Sequence, residues 1–434
     1  MELYSTKKQV PNVNFQEALF KGLPSDNGLY MPTSIGRLDD DFIKNIDQYS
    51  FEVIAFKMAQ VLIGDEIPTK DLQAIVMDAI DFKAPVKPII GDAHVLELFH
   101  GPSYAFKDFG ARFMARCMAY FLRNESREIN ILVATSGDTG SAVAQGFLGV
   151  PGIKVTILYP SGKVSANQEK QLTTLGENIT ALEIDGVFDD CQRLVKTAFL
   201  DEELNAKLNL SSANSINIAR LVPQSFYYGH AYAQVKHLGK PVVFSVPSGN
   251  FGNLCGGLFA QKMGIPIDHF VAATNVNDVV PSYLSSGLFE AKDSVATLSN
   301  AMDVGNPSNF PRLQALHDND LDKMRENITG KAYADEITVY AMKKVFEETE
   351  YVMCPHTAVA FMGLVDYLKE SGKDATGVFL STAHPAKFKE IVDEVVDRDV
   401  LIPEPLQKII DKEKTSIEMS ADFEGFKAFL MQEG

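Results

Sequence analysis

Cysteine is scarce in this chain: Cys117, Cys191, Cys255 and Cys354 are the whole supply, far apart and without a CxxC pair. That usage argues against a zinc site and against a disulfide framework, so no metal is expected. No apolar run reaches the length of a membrane span. The start, Met1-Glu2-Leu3-Tyr4-Ser5-Thr6-Lys7-Lys8, has neither the apolar core of a secretory signal nor the arginines of a transit peptide. Internal repeats and low-complexity stretches are lacking too. Positive charge is in deficit, with 40 Lys and Arg against 57 Asp and Glu and a formal net charge of −17. Such a chain is poorly suited to nucleic acid or an anionic membrane, and an anionic substrate would depend on a few local cations. A cytoplasmic protein with reduced thiols is the simplest expectation.

What is present is length and apolar residues. At 434 residues, 46% of them hydrophobic, the chain can bury a sizeable core in two or three domains. Residues 1–85 read as a mostly helical N-terminal domain. The run Lys83-Ala84-Pro85-Val86-Lys87-Pro88 reads as a linker. Beyond it, short apolar runs alternate with helical stretches: 95–99, 129–134, 154–159, 179–184, 242–246, 269–273 and 377–380. This alternation predicts βαβ units and a mostly parallel α/β architecture, in which ligands sit beyond the carboxyl ends of strands. Residues 86–400 are expected to form a catalytic region of a large and a small α/β subdomain, the small one over roughly 125–220. Residues 401–434 are expected to be a tail packed on it.

The loops at those strand ends carry the chemistry. His100-Gly101-Pro102-Ser103-Tyr104-Ala105-Phe106-Lys107 leads into a helix marked by Phe109, Phe113, Cys117 and Phe121. Apolar neighbours would desolvate Lys107 and favour its neutral, nucleophilic amine, though a solvated lysine on a first helical turn is the commoner case. Thr135-Ser136-Gly137-Asp138-Thr139-Gly140 reads equally as an anion cradle or as an ordinary capped turn. Pro247-Ser248-Gly249-Asn250-Phe251-Gly252-Asn253 opens directly into a helix. It is neither a P-loop nor a GxGxxG turn, which leaves a phosphomonoester as its natural guest. Ser381-Thr382-Ala383-His384-Pro385 could present a hydroxyl to a ring nitrogen or simply cap a helix. Asn214-Ser215-Ile216-Asn217-Ile218-Ala219-Arg220 offers an arginine fork suited to phosphate or carboxylate. A solvated arginine on a capped surface helix is the blander alternative.

In combination and in this order, these loops resemble the threonine synthases of the bacterial and fungal type. Gly22-Leu23-Pro24-Ser25-Asp26-Asn27-Gly28-Leu29-Tyr30, Ala301-Met302-Asp303-Val304-Gly305 and Thr382-Ala383-His384-Pro385-Ala386-Lys387-Phe388 extend the resemblance over nearly the whole chain. It implies the tryptophan synthase β-like fold with two open, mostly parallel twisted sheets, an added N-terminal domain, and pyridoxal 5'-phosphate as cofactor. It also implies the conversion of O-phospho-L-homoserine and water to L-threonine and phosphate, a carbon–oxygen lyase reaction. Lys107 would carry the cofactor as a Schiff base. Gly249, Asn250, Phe251, Gly252 and Asn253 would hold its phosphate, and Thr382 would meet its ring nitrogen. Thr135, Ser136, Thr139, Asn214, Ser215 and Arg220 would hold the substrate. Asp138 stands where many related enzymes have Asn, which puts a contact to the cofactor hydroxyl there in question. A monomer is expected, with a dimer as the alternative. The rival readings are a serine/threonine dehydratase of the same fold and a catalytically silent relative that binds the cofactor or a phosphorylated metabolite.

Overall fold

Strands buried on both faces need apolar side chains throughout, and the predicted runs take this form in the computed structural model, which describes residues 1–433. Fourteen strands form three sheets among these residues. In chain order they are β1 (Glu2–Ser5), β2 (Val13–Asn14), β3 (Tyr30–Pro32), β4 (Val86–Ile90), β5 (Ala93–Glu97), β6 (Ile129–Ala134) and β7 (Ile153–Pro160). The rest are β8 (Ile179–Asp185), β9 (Leu210–Ser212), β10 (Val242–Pro247), β11 (His269–Thr274), β12 (Ile328–Ala332), β13 (Thr376–Ser381) and β14 (Ile417–Ser420). A six-stranded sheet has the order β12-β11-β10-β13-β5-β4, and a five-stranded sheet the order β14-β8-β7-β6-β9. The five-stranded sheet is parallel throughout, and the six-stranded sheet is parallel except at β4. Every residue of β10, β11 and β13 is buried.

Two local expectations are corrected. Lys83–Pro88 is not a free linker: Val86–Ile90 pairs antiparallel with β5 as an edge strand. An edge tolerates Pro88 because one side of the strand needs no ladder donors, and Pro85 lies just before the strand. The N-terminal region has its helices, Phe15–Lys21, Asp40–Lys44, Phe51–Ile63 and Thr69–Ala79, and also a small antiparallel sheet of β2-β1-β3. Strands this short carry too few residues for a period-two pattern to stand out. At the other end, β14 adds a parallel strand to β8, and Phe426 and Leu430 of the following helix are buried with Leu194 and Val195.

The helix that begins at Lys107 runs to Leu122 and buries Phe109, Phe113, Met114 and Cys117. Its first turn is clamped by rings: Phe109 lies 4.7 Å from Phe82, 5.1 Å from Tyr227 and 5.9 Å from Phe51, centroid to centroid. Aromatic contacts of this kind, tilted or edge-on, add to the burial of the rings themselves. They fix the start of the helix against elements distant in sequence, and with it the position of residue 107.

Candidate active site

Lys107 and Thr382 are neighbours because the backbone makes them so. Leu98 N–H donates to Ser381 O at 2.9 Å, Phe106 N–H donates to Thr382 O at 2.9 Å, and Ala105 pairs with Ala383. The segment after β5 therefore runs alongside the segment after β13, at the carboxyl end of the sheet. A cavity opens there. Of the residues singled out in the sequence, Lys107, Thr139, Ser215, Arg220, Gly249, Asn250, Phe251, Gly252, Asn253 and Thr382 line it. Asn214 lines a larger adjoining cleft, which shares Ser215 and Asn250 with the first. Thr135 is buried, with Oγ1 already accepting from the N–H groups of Gly137 and Gly140 at 3.0 and 2.9 Å. Ser136 is half-buried and lines neither space.

The Lys107 amine makes no hydrogen bond or ion pair among the described residues. Burial lowers its pKa to about 8; Asp138 opposes the shift, and Arg220 and Lys387 add to it. A substantial neutral fraction near neutral pH is what an amine nucleophile needs.

The loop after β10 is built to leave donors free. Phe251 holds a left-handed conformation, φ 60°, and begins the helix Gly252–Lys262 with no side chain capping it. Its first N–H groups are thus left to a ligand. Asn250 Oδ1 accepts from Ser308 N and Oγ at 3.1 and 2.8 Å, which anchors the loop. Gly249 is needed for packing rather than for ligand approach, since a Cβ there would sit 2.8 Å from Cα of Met302. Asn253 takes the hydroxyls of Tyr227 and Tyr228 on Oδ1, at 2.6 and 2.8 Å, and its Nδ2 is buried without a partner.

Arg220 is not solvated. Its short helix, Ile218–Leu221, is capped by Asn217 Oδ1 accepting from Ala219 N–H, and the guanidinium is 2% exposed. Nη1 donates to Ala213 O, while Nε is buried without a partner. Burial holds its pKa down near 10, with Asp108 opposing, so the group stays a cation at any physiological pH. Buried donors left unpaired are costly, and Arg220 Nε and Asn253 Nδ2 both belong to cavity-lining residues. The uncapped helix start and these orphaned donors fit a phosphate-bearing cofactor with an anionic substrate beside it.

Several other residues line the cavity that were given no site role in the sequence. His356, near the start of the helix Pro355–Ser371, accepts from Ala301 N–H on Nε2 at 3.2 Å; burial lowers its pKa to about 4. Gln224, Ala301 and Met302 complete the wall. Asp138 also lines it, and is bound to Lys387 rather than free. Thr382 precedes the turn that the sequence also offered as a helix cap: His384 caps Pro385–Phe388, accepting from Ala386 N–H at 3.1 Å.

Comparison with known proteins places this site in a class. Residues 94–383 match the family of pyridoxal-phosphate dependent enzymes. Residues 2–80 match the threonine synthase N terminus, and residues 357–430 the threonine synthase C-terminal region. The threonine synthase of Escherichia coli (strain K12) is 44% identical over 99% of both chains. A crystal structure of threonine synthase from Escherichia coli superposes with a TM-score of 0.93 at 44% identity, covering 100% of each chain. A pyridoxal-phosphate-bound threonine synthase from Brucella melitensis gives 0.93 at 33% identity, covering 100% of this chain and 99% of that one. The chain belongs to the threonine synthase family.

Proposed function

We propose that this cavity is where O-phospho-L-homoserine and water become L-threonine and phosphate, with Lys107 as the residue that holds pyridoxal phosphate and moves protons. The observation that carries this reading is the free amine of Lys107 in one cavity with an uncapped helix start and two orphaned buried donors. When bound, the cofactor supplies an electron sink for removing substrate protons. The residues of this chain do the remainder. Gly249, Asn250, Phe251, Gly252 and Asn253 hold the cofactor phosphate. Thr382 offers its hydroxyl to the ring nitrogen; a hydroxyl, unlike a carboxylate, leaves that nitrogen largely unprotonated.

Lys107 Nζ, with its lowered pKa, accepts a proton from the substrate carbon and returns it. Arg220 is the principal anion holder, because a desolvated guanidinium binds phosphate or carboxylate strongly. Ser215 and Thr139 join it from the cavity wall, and Asn214 from the adjoining cleft. Thr135 and Ser136 act through the loop whose backbone they shape. This division of labour concentrates positive charge locally in a chain whose net charge is −17, as an anionic substrate requires.

The same reading keeps residues 1–85 as an N-terminal domain, 86–400 as the catalytic region with its small subdomain near 125–220, and 401–434 as a packed tail. It makes the protein a cytoplasmic monomer, with a dimer as the alternative. None of the described helices is long and apolar enough to cross a membrane. The deciding experiment is reconstitution with pyridoxal phosphate, addition of O-phospho-L-homoserine, and assay of both products. Equal amounts of phosphate and threonine are expected; phosphate release without threonine would overturn the reading.

A further inference from the structure

Lys387 is among the most enclosed charges in the molecule. Its side chain is 0% exposed and that of Asp138 6%, and Nζ lies 2.8 Å from Asp138 Oδ1. Nζ also donates to Ser103 O at 2.9 Å and to Ser141 Oγ at 3.4 Å, which uses all three ammonium protons. Asp138 Oδ1 accepts a further bond from Gln168 Nε2 at 2.9 Å. Gln168 can lie this close because residue 137 is glycine: a Cβ there would meet the Gln168 amide at 2.5–2.7 Å. The cation and the carboxylate are thus both fixed, whereas the Lys107 amine has no bonded partner among the described residues. Lys107 and Asp138 line the same cavity.

Two buried cations therefore compete for one buried carboxylate. We propose that Lys387 and Asp138 act as a positioning pair for the reaction, setting the charge state of the Lys107 amine without touching it. Lys387 neutralises part of the field that Asp138 would otherwise exert, and the remainder helps decide how readily Nζ of Lys107 sheds its proton. The directions agree: Asp138 favours protonated Lys107, and Lys387 and Arg220 disfavour it. The other titratable or charged groups near Lys107 are Asp108, the next residue along its helix, and His356, on the facing helix. Burial raises the Asp108 pKa to about 6 and lowers that of His356 to about 4, so neither titrates in the range where Lys107 does. The pair also joins the two sheet units, since Asp138 follows β6 and Lys387 follows β13.

The proposal rests on the reading that Lys107 holds the cofactor, and the test separates the two. Cofactor-stripped full-length protein is mixed with pyridoxal phosphate across a pH series, and the rate at which the visible absorbance of the lysine-bound cofactor appears is recorded. The kcat/KM profile of the reloaded enzyme is measured alongside. Lys387→Met should move the midpoint to higher pH by about half a unit, and Asp138→Asn to lower pH by about one unit. Lys387→Arg should stay close to wild type. A purely structural role would lower stability in both single variants but would not shift the midpoints in opposite directions. Midpoints that coincide, or move the same way, overturn the proposal. Should either single variant fail to fold, Asp138→Asn/Lys387→Met, which removes both buried charges, decides the matter. A midpoint below that of wild type is expected, because Asp138 acts on Lys107 more strongly than Lys387 does; an unchanged one overturns the proposal. Failure of the underlying reading looks different: Lys107→Ala would then still develop the absorbance.

Discussion

A Cβ atom at position 110 would lie 2.7 Å from Nε of Arg220 and 2.9 Å from its carbonyl oxygen. The buried guanidinium therefore rests on a bare stretch of the helix that begins at Lys107. Glycine inside a helix ordinarily costs about 1 kcal/mol relative to alanine, so a close contact is what justifies it here. Gly110→Ala should forfeit that gain through overpacking, at about 1–3 kcal/mol, because the backbone oxygen cannot rotate away. The displaced Arg220 should raise KM for O-phospho-L-homoserine at least tenfold, with a smaller effect on kcat. Steady-state kinetics together with thermal unfolding check both halves, and an unchanged KM would remove Arg220 from the anion site. Arg220→Ala should show the same KM effect more strongly.

Lys107→Ala should fold, since the amine bonds to nothing that the fold depends on. It should lose the visible absorbance of the bound cofactor and all measurable turnover. Circular dichroism, absorbance and product assay on one preparation suffice, and retained activity would refute the assignment.

Asn253 serves the fold and the ligand with different atoms. Asn253→Ala strips the buried hydroxyls of Tyr227 and Tyr228 of their shared acceptor, at a cost of about 1–3 kcal/mol. It also removes the Nδ2 donor, so cofactor should dissociate more readily. Tyr227→Phe should lose about 1 kcal/mol of stability yet keep its cofactor. Melting temperatures paired with dialysis against buffer lacking cofactor distinguish the two. Equal cofactor retention in both variants would rule out Nδ2 as a phosphate ligand.

Acid should destabilise the fold before its ordinary carboxylates titrate. Burial lowers the pKa values of His230, His269, His356 and His384 from 6.5 to about 4. Between these limits the unfolded chain binds protons that the folded chain refuses, so stability is lost as pH falls from about 6.5 to 4. Asp108, raised from 3.8 to about 6, and Asp303, also raised by burial, work in the opposite sense over part of that window, but they stand against these four histidines and His317, whose pKa burial also lowers. Thermal melts at successive pH values should show a steady decline. His230, stacked on Phe51 at 4.3 Å with Nδ1 buried and unpartnered, is the residue to replace. His230→Phe should flatten the decline, and an identical slope would show that His230 does not contribute to it.

The parallel strands were legible because strands covered on both faces must be apolar along their length, as Val242–Pro247 is. The loops were legible because glycines and hydroxyls cluster where a strand turns into a helix. Other features left no local trace. Val86–Ile90 hid behind Pro85 and an internal Pro88 that only an edge position excuses, and Ile417–Ser420 is too polar to read as a strand. His356 reaches the cavity through the packing of a long helix. Its one hint was Pro355 at the first helical position, the mark of a helix start. Lys387 stood within a recognisable run, but its partner is Asp138, and a contact across such a span is written only in the tertiary structure. The helix start at Arg220 is legible in its sequence, while the burial of its guanidinium depends on Gly110.

The position of β13 between β10 and β5 bears on how the protein is made. Thr376–Ser381 is one of the two central strands of the six-stranded sheet, and it is synthesised well after both of its neighbours. Until it emerges, the strand preceding Lys107 and the strand preceding the Gly249 loop have no common neighbour. Their apolar edges stay open to other chains for most of translation, at about 5–20 residues per second. Cofactor capture then has to wait for this strand, and a chain stopped short of residue 381 should behave as a chaperone client rather than as a dormant apoenzyme.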